Sequence, residues 1–538
     1  MLSDPTTSPE DDSHRLMPAP IPLPHAASEY LPGMHLSERT TNAALAEKYD
    51  AVAYEGQSHA LSHPDRMAVV ATLFGLAPPS IATCRVLEFG CSDGANLLPI
   101  AANLPDGQFV GCDLSPRAIA AARQAAAELG LANVTFVTGD LSELPEAFGD
   151  FDYMIAHGVY SWVPARVRDA MFALAGRRLK PNGVMFVSYN VYPGCHVRQA
   201  VWEVLRLHIE RIEGAQARLD RARELAAALA EPGTTQNKTD ALLRAEFKRV
   251  AQLADCVLYH DDLAEPNDPV YFREFVAHAG RHGLEFVSEA QLWASASIGV
   301  APSMLRLFAG LDRLEREQYL DFAHLRRFRQ SLLCRAKSAT GFQLAPERLA
   351  SMRIAASTAL LRAAADGKPL IDPAQPDAPA GAEAQALRAL FEWLVAIAPQ
   401  TVSLAEIEER LLWPPTSVGA ASPRSVEAII ADACLKGLLM LQLHPPTLVS
   451  LAGERPVASV VSRWQAGRGV WVTNLWHETI QVRDQTALRL LTLLDGSRTR
   501  TEIATAMADV LPAADAIARE QRIDEYLRQF GKHGFLTR

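Results

Sequence analysis

The chain has 538 residues, of which 49% are hydrophobic, and it carries a formal net charge of −10 at pH 7. A chain of this length exceeds one hydrophobic core, so roughly two to four domains are expected. Because acidic and basic residues are interspersed, the composition argues against a general nucleic-acid surface. No run of about eighteen apolar residues is present, which argues against a membrane span.

The seven cysteines form no C-x-x-C pair and no His/Cys cluster with the spacing of a zinc site. We therefore expect reduced thiols and no bound metal ion. The first residues include acids and lack the basic and then apolar segments of a secretory signal. These features predict a cytoplasmic protein.

Residues 1–40 combine Ser, Thr and Asp with repeated Pro. This composition cannot bury enough apolar surface to offset the entropy of ordering, so a disordered N-terminal tail is predicted. A helical pattern begins near Asn42, and Tyr49, Tyr54 and His63 lie between it and the next predicted helix. Each of these three side chains can be an ordinary packing residue.

The most informative stretch is residues 85–103, where an apolar and β-branched run breaks into a glycine-rich turn and continues as a helix. Gly90 and Gly94 allow the backbone to approach a ligand closely, and the helix offers unpaired N–H groups. The pattern, E-x-G-x-x-x-G from Glu88, is neither the G-x-G-x-x-G of dinucleotide enzymes nor a phosphate loop. A nucleoside without a pyrophosphate remains, and S-adenosylmethionine (SAM) fits. The turn alone could merely close a strand onto a helix.

Four further predicted strands end in polar residues. The acid at the end of the second strand, Asp113, suits ribose hydroxyls, and the acid at the end of the third, Asp140, suits an adenine amino group. The fourth and fifth strands end near His157 and Asn190. Because ligands gather beyond the C-terminal ends of the strands in an open parallel sheet, these residues are predicted to meet. The four strands are predicted at residues 108–113, 134–141, 151–158 and 183–190.

Longer motifs occupy residues 49–54, 63–66, 73–76, 87–91, 157–164, 188–194, 260–261, 271–272 and 326–330. These stretches resemble class I SAM-dependent methyltransferases that carry a methyltransferase regulatory domain. The likeness is greatest to protein-lysine methyltransferases that act on bacterial outer-membrane proteins. It spans residues 45–340 and continues more weakly to the C-terminus.

The resemblance implies SAM as cofactor and an α/β, Rossmann-like fold with the seven-stranded class I methyltransferase sheet, in the strand order 3-2-1-4-5-7-6. This methyltransferase domain is expected at residues 41–340. Its helix-rich block, about 200–300, is interpreted as a helical or regulatory insertion, because strand patterns recur at 283–289 and 331–335. The residues between Tyr49 and His63 are expected to form a lid over the methionine end of the cofactor.

The last part of the chain is predicted to be a separate region. Residues 341–382 form a connecting segment that ends in a Pro- and Gly-rich linker. Residues 383–538 hold a weak internal repeat, in which three helices precede a glycine and an apolar strand, and this predicts an α+β region of winged-helix-like units. Because no basic stripe appears, substrate recognition or dimerisation is favoured over DNA binding.

Pattern and resemblance together predict the residues that bind the cofactor. Those around the glycine turn are expected at the amino-acid half of SAM, and those after the second and third strands at its nucleoside half. The predicted set is Tyr54, Glu88, Gly90, Cys91, Gly94, Asn96, Asp113, Leu114, Asp140, Leu141 and His157.

Methyl transfer from SAM displaces a neutral thioether, so it requires neither a metal nor a covalent nucleophile, and positioning carries most of the rate. A lysine acceptor must first lose a proton, which costs about 4 to 5 kcal/mol at neutral pH. Polar and aromatic residues that follow strands four and five are therefore predicted to form the acceptor site. The predicted catalytic residues are His157, Tyr160, Tyr189 and Asn190.

Other interpretations remain open for several of these residues. His157 can instead cap its strand, Trp162 can be a packing residue, and the pair at 260–261 can be structural or part of a substrate gate. The predicted function is methylation of a protein lysine, with an outer-membrane protein precursor as one candidate acceptor and a homodimer as one candidate assembly. A small-molecule N- or O-methyltransferase and a non-catalytic SAM-binding regulator are the alternatives.

Overall fold

The computed structural model describes most of the chain beyond the predicted N-terminal tail, which lies outside the described residues. The described residues are 51–52, 56–140, 144, 146–232, 240–295, 299–336, 342–370, 381–411, 425–512 and 515–537.

A seven-stranded sheet forms the centre of the first part of the chain. Its strand order is β3-β2-β1-β4-β5-β7-β6, as the family resemblance implies. The pairs among β1 to β5 are parallel, whereas β7 runs antiparallel to both β5 and β6. The predicted class I methyltransferase fold is confirmed. The strands are β1 (Arg85–Phe89), β2 (Gln108–Asp113), β3 (Val134–Thr138), β4 (Phe151–Ala156), β5 (Leu179–Asn190), β6 (Leu284–Glu289) and β7 (Phe328–Arg335).

Helices cover both faces of this sheet. Successive residues of a strand point to opposite faces, so Val86 of β1 packs into one core and Leu87 into the other. Because both faces are covered, the central strands are almost uniformly apolar, and every residue of β4 is buried. One face packs on the helices Pro64–Leu73, Leu97–Asn103 and Pro116–Glu128, and the other on Ala165–Arg178 and Phe272–Arg281.

A helical block stands between β5 and β6, in the region predicted as an insertion. Its helices bury their own small core, in which Leu205, Leu219 and Val250 are fully buried. The block ends in a π-helical turn, Leu258–Asp262. Its remaining helices are Cys195–Ile209, Ala215–Ala230, Asp240–Ala251 and Asp255–Val257, and the helices Pro302–Phe308 and Arg313–His324 follow β6.

The C-terminal part contains a three-stranded sheet. A short strand, β8 (Arg353–Ala356), lies in the predicted connecting segment and pairs with both β9 (Val402–Ser403) and β10 (Leu439–Gln442). These pairings join residues far apart in the chain, so local composition did not reveal them. The accompanying helices are Thr358–Ala365, Gly381–Ile397, Leu404–Leu411 and Val426–Leu435.

A second unit closes the chain and contains a two-stranded hairpin, β11 (Trp471–Thr473) and β12 (Thr479–Gln481). Within the described ranges, no helix combines the length and the apolar character that crossing a bilayer requires. The helices of this unit are Val460–Ala466, Gln485–Leu493, Arg500–Ala506 and Ala516–Lys532.

The two C-terminal units contact the first part of the chain through specific hydrogen bonds. Asp65 accepts from the backbone N–H groups of Leu443 at 3.0 Å and His444 at 2.7 Å. Glu128 accepts from the indole N–H of Trp464 at 2.8 Å and also pairs with Arg468. The methyltransferase sheet and the C-terminal region are therefore packed together rather than joined only by a linker.

Candidate active site

The ends of β1 to β4 open into one cavity of about 440 Å³. A cavity of this size suits a nucleoside-sized ligand. Its walls come from the glycine turn, from the residues after β2, β3 and β4, from residues 56–59 and from the π-helical turn. Of the predicted site residues, those that line it are Glu88, Gly90, Cys91, Asn96, Asp113, Leu114, Asp140 and His157.

The two glycines of the turn have different roles. Gly90 lines the cavity with a φ of +65°, and a Cβ there would lie 2.7 Å from the side chain of Val159. Gly94 also has a positive φ, +80°, but it does not line the cavity, and a Cβ there would lie 2.8 Å from the ring of Phe136. The structure therefore places Gly94 in the packing beneath the turn rather than at the ligand.

Glu88 is the second-last residue of β1 and is almost fully buried. Its Oε1 accepts a hydrogen bond from Asn96 Nδ2 at 2.7 Å, whereas its Oε2 has no hydrogen-bond partner among the described residues. Burial raises the pKa of this carboxyl from 4.5 to about 8. A buried oxygen without a partner is costly, so a cationic group of a ligand would be complementary to it.

Asn96 connects Glu88 to two distant segments. Its Oδ1 accepts from the backbone N–H of His59 at 2.8 Å and lies 2.8 Å from Nε2 of His477, which belongs to the turn between β11 and β12. Its Nδ2 also donates to Ser62 at 3.1 Å. The orientation of Glu88 thus depends on residues from the N-terminal segment and from the C-terminal unit.

Two acids line the cavity where β2 and β3 end. The carboxylate of Asp113 accepts from the backbone N–H groups of Ser92 and Ser115, each at 2.9 Å, so its position is fixed on both sides. Asp140 follows β3 and lies 3.9 Å from Arg166. The neighbouring prediction, Leu141, lies outside the described residues, and so does Tyr54.

His157 follows β4 and belongs to an aromatic wall. Its ring stacks on that of His59 with centroids 3.5 Å apart and lies edge-on to Phe328 at 6.5 Å. Burial lowers the pKa of His157 well below 6.5 and that of His59 to about 4. Both imidazoles are therefore neutral at neutral pH, which makes this wall compatible with a cationic ligand.

The structure does not bring the other three predicted catalytic residues to the cavity. Tyr160 is buried against Phe172 and Phe275, with its hydroxyl 2.9 Å from a histidine on a neighbouring helix. Tyr189 is fully buried and stacks on Phe275 at 3.8 Å. Asn190 is 1% exposed and donates to Asn267 at 2.8 Å. Tyr189 and Asn190 are consecutive in β5 and point in opposite directions, and buried packing and hydrogen-bond partners hold each of them away from the cavity.

Several residues that line or support the cavity were missed as site residues in the sequence. Trp162, interpreted as a packing residue, lines the cavity, and its indole N–H is buried without a partner among the described residues. Asp261 and Phe328 also line it, within motifs that the resemblance includes. His59 lies in the predicted lid segment, but only the stacking geometry identifies it, and no local signal points to His477.

One group of potential metal ligands lies elsewhere. The ligand atoms of Asp169, His278 and His282 lie within 4.8 Å of one another. Asp169 contacts Nε2 of His278 at 3.3 Å and of His282 at 2.8 Å, so hydrogen bonding accounts for this arrangement. None of the three lines the cavity. The expectation that no metal is bound stays a prediction.

Comparisons with known proteins match three segments of the chain. Residues 86–183 match a family model described as a methyltransferase domain, and 254–335 match one described as a predicted methyltransferase regulatory domain. Residues 454–525 match the C-terminal winged helix domain of PKMT.

Two uncharacterized proteins of Rickettsia prowazekii are similar in sequence. RP789 is 35% identical over 298 residues, which cover 55% of this chain and 54% of that protein, so the match spans about half of that relative's length. RP028 is 32% identical over 234 residues, which cover 43% of this chain and 93% of that protein.

Solved structures of PKMT2 from Rickettsia typhi share the fold. One has a TM-score of 0.77 at 22% identity, and a complex of the same protein with AdoHcy has a TM-score of 0.76 at 23% identity. Each match covers 90% of this chain and 100% of that chain.

The sheet topology and the methyltransferase-domain match define a class I methyltransferase, and they confirm SAM as the predicted cofactor. The sequence match over nearly all of RP028 shows that the chain belongs to the same family as that protein. The chain also resembles the PKMT proteins.

Proposed function

We propose that this chain transfers methyl groups from SAM to the side-chain amines of lysines in proteins. The observation that carries the proposal is the single cavity in which the unpartnered oxygen of Glu88, the fixed carboxylate of Asp113 and a neutral aromatic wall meet. These groups suit, in turn, an ammonium, a pair of hydroxyls and the approach of a second substrate.

Within this proposal, three acidic residues have defined partners on the cofactor. Glu88 Oε2 receives the α-ammonium of SAM, because a charge-assisted hydrogen bond there relieves the cost of its burial. Asp113 accepts hydrogen bonds from the ribose hydroxyls through its carboxylate oxygens. Asp140 accepts from the adenine amino group, on the side of the cavity next to the end of β3.

When bound, SAM supplies a methyl group on a positively charged sulfur, with a neutral thioether as leaving group. The protein then has to orient the acceptor nitrogen and keep water away. The stacked rings of His59 and His157, both neutral by burial, form a wall that adds no positive charge beside the sulfonium. Positioning of this kind supplies most of the rate in a displacement between two bound reactants.

A protein acceptor is supported by the size of the C-terminal region and by its similarity to a PKMT winged helix domain. A protein needs a second contact surface to repay the entropy lost on association. An outer-membrane protein precursor, met in the cytoplasm, is the acceptor that we propose. All seven cysteines are free and six are buried, which suits a reducing compartment.

Labelled SAM separates a protein acceptor from a small one. The chain is incubated with methyl-labelled SAM and a bacterial cell extract, and the products are divided into macromolecular and small-molecule fractions. We expect the label in the macromolecular fraction and sensitive to protease. Label found only in small molecules would instead favour a small-molecule N- or O-methyltransferase. Binding of SAM without any transfer would favour the regulator.

A further inference from the structure

Adjacent carboxylates of the π-helical turn have opposite surroundings. Asp262 points inward, where its Oδ1 accepts from the indole of Trp202 and from Arg249, each at 2.8 Å, and lies 3.3 Å from Arg198. Asp261 instead lines the cavity. π-Helical turns recur at functional sites because they displace one side chain from the regular helical register.

The carboxylate of Asp261 has neither a hydrogen bond nor an ion pair within the part of the chain that the structure describes; only its backbone oxygen is bonded, to Asn267. Burial, and then the charge of Asp262, raise the pKa of Asp261 to about 6, although Arg198 and Arg249 oppose this. A partly buried carboxylate with no partner is unfavourable unless a ligand supplies a hydrogen bond or a positive charge.

The sheet order places Asp261 at the end of the cavity opposite the nucleoside residues. Asp140 and Asp113 follow β3 and β2, whereas His157 follows β4, and Phe328 begins β7 beyond β5. Asp261 belongs to this second side, because Asp262 beside it binds the helix that follows β5. The second side therefore contributes the carboxylate of Asp261 and the rings of Phe328 and His157 to the same cavity.

We propose that Asp261, together with Phe328 and His157, forms a subsite for a primary alkylammonium group. The aromatic faces contact the alkyl chain and attract the cation, and the carboxylate pairs with its charge. Identification of this ligand as an acceptor lysine rests on the proposed function. In that setting one N–H proton of the ammonium passes to a carboxylate oxygen of Asp261, which leaves the nitrogen lone pair free, and the proton later leaves to solvent.

This subsite implies that the segment matched to a predicted regulatory domain binds the acceptor directly. Asp261 and Phe328 both lie within residues 254–335. The segment therefore supplies acceptor-binding groups to the cavity itself.

Binding of n-butylammonium, a mimic of the lysine side chain, tests the subsite without any methyl transfer. The full chain, saturated with S-adenosylhomocysteine, is titrated by ligand-observed NMR as wild type, Asp261→Asn and Asp261→Glu. We expect Asp261→Asn to bind the amine at least about tenfold more weakly, since it keeps the shape and loses the charge, and Asp261→Glu to retain most of the affinity. Neutral n-butanol is the matched control and should not distinguish the variants.

The same titration has a predicted pH dependence. The wild-type affinity should fall as the pH decreases through about 6, where Asp261 becomes neutral, and the Asp261→Asn variant should show no such fall. The other ionisable groups nearest to Asp261 are His260 and Asp262 on the same turn, Arg198 on the helix after β5, and Arg249.

Equal amine binding by wild type and Asp261→Asn, or no amine binding by either, would overturn the subsite. This result is distinguishable from failure of the proposed function. If butylammonium binds with the predicted charge and pH dependence while no protein is methylated, the lysine function is wrong and the amine subsite stands.

Discussion

At the scale of single residues, the site is built on two carboxylates with opposite environments. Asp113 is held by two backbone N–H groups, whereas one oxygen of Glu88 is buried without a partner among the described residues. Both positions could be predicted from sequence, because each carboxylate lies at or next to the end of a short apolar strand beside the glycine turn. The difference between them could not, since it depends on Asn96 and on burial.

Replacement of Glu88 by Gln is expected to weaken SAM binding and to stabilise the ligand-free chain. A carboxyl whose pKa is raised from 4.5 to about 8 contributes stability below pH 4.5 and loses it as the pH rises to 8. Between pH 4.5 and pH 8 this lowers the free energy of unfolding of the wild type by at most roughly 5 kcal/mol. Denaturant unfolding at pH 5 and pH 8 should therefore show that the free energy of unfolding of the variant increases relative to that of the wild type as the pH rises. Parallel pH profiles would contradict the account of Glu88.

Asp113→Ala is expected to reduce SAM affinity by about 2 to 4 kcal/mol, which is roughly thirty- to a thousand-fold. The physical reason is the loss of charge-assisted hydrogen bonds to the ribose. Calorimetric titration with SAM measures this directly. Asp106→Ala is the matched control, because Asp106 precedes β2, the strand that Asp113 ends, and is exposed and does not line the cavity. An affinity that stays the same in both variants would remove Asp113 from the cofactor site.

At the scale of elements, the positions of the parallel strands followed from the sequence because each is a short apolar run that ends in a turn, whereas the strand order came from the family resemblance. Tyr160 and Tyr189 show where such reasoning stops. Tyr160 follows β4 and Tyr189 lies at the end of β5, yet both rings pack against Phe275, which is far away in the sequence and belongs to the helix before β6. Which side chains at a strand end face the ligand is settled by these packing partners.

The start of β7 is fixed by a buried charge network, and this leads to a stability prediction. Arg329 is fully buried and pairs with Glu289, Glu317 and Asp321. Arg329→Met should destabilise the chain by at least about 3 to 5 kcal/mol, because it leaves buried carboxylates without a counter-charge. Denaturant unfolding measures the loss.

Arg353→Met is the control for that variant, since its ion pair with Glu406 is half exposed and is worth at most about 1 kcal/mol. If both substitutions cost the same, the network around Arg329 does not stabilise β7. A large loss for Arg329→Met alone would show that this network holds the strand whose first residue, Phe328, faces the cavity.

At the scale of the whole molecule, the C-terminal region contacts residues at the cavity and is also a candidate acceptor surface. His477 is buried in the hairpin turn and reaches Asn96, 381 residues earlier in the chain. Thr473 and Thr479 of the same hairpin contact Ser58 beside the cavity. No local pattern predicts contacts between such distant residues.

The homodimer stays a prediction.

His477→Ala is accordingly expected to weaken SAM binding, by roughly three- to thirtyfold, because Asn96 loses a partner and holds Glu88 less firmly. Calorimetry with SAM measures the effect, and circular dichroism checks that the fold is kept. His444→Ala is the matched control, since the hydrogen bond that His444 makes to the first part of the chain, to Asp65, comes from its backbone N–H and survives the substitution. Equal affinities for wild type and His477→Ala would mean that the hairpin merely packs beside the site.

The central claim is methyl transfer to the amine of a protein lysine, and the chemical identity of the modified residue tests it most directly. Protein from an extract treated with the chain and methyl-labelled SAM is digested, and the labelled peptides are sequenced by mass spectrometry. The account predicts label on the ε-nitrogen of lysine, absent when Glu88→Gln or Asp261→Asn replaces the wild-type chain. Label on another residue type, or on no protein at all, would contradict it.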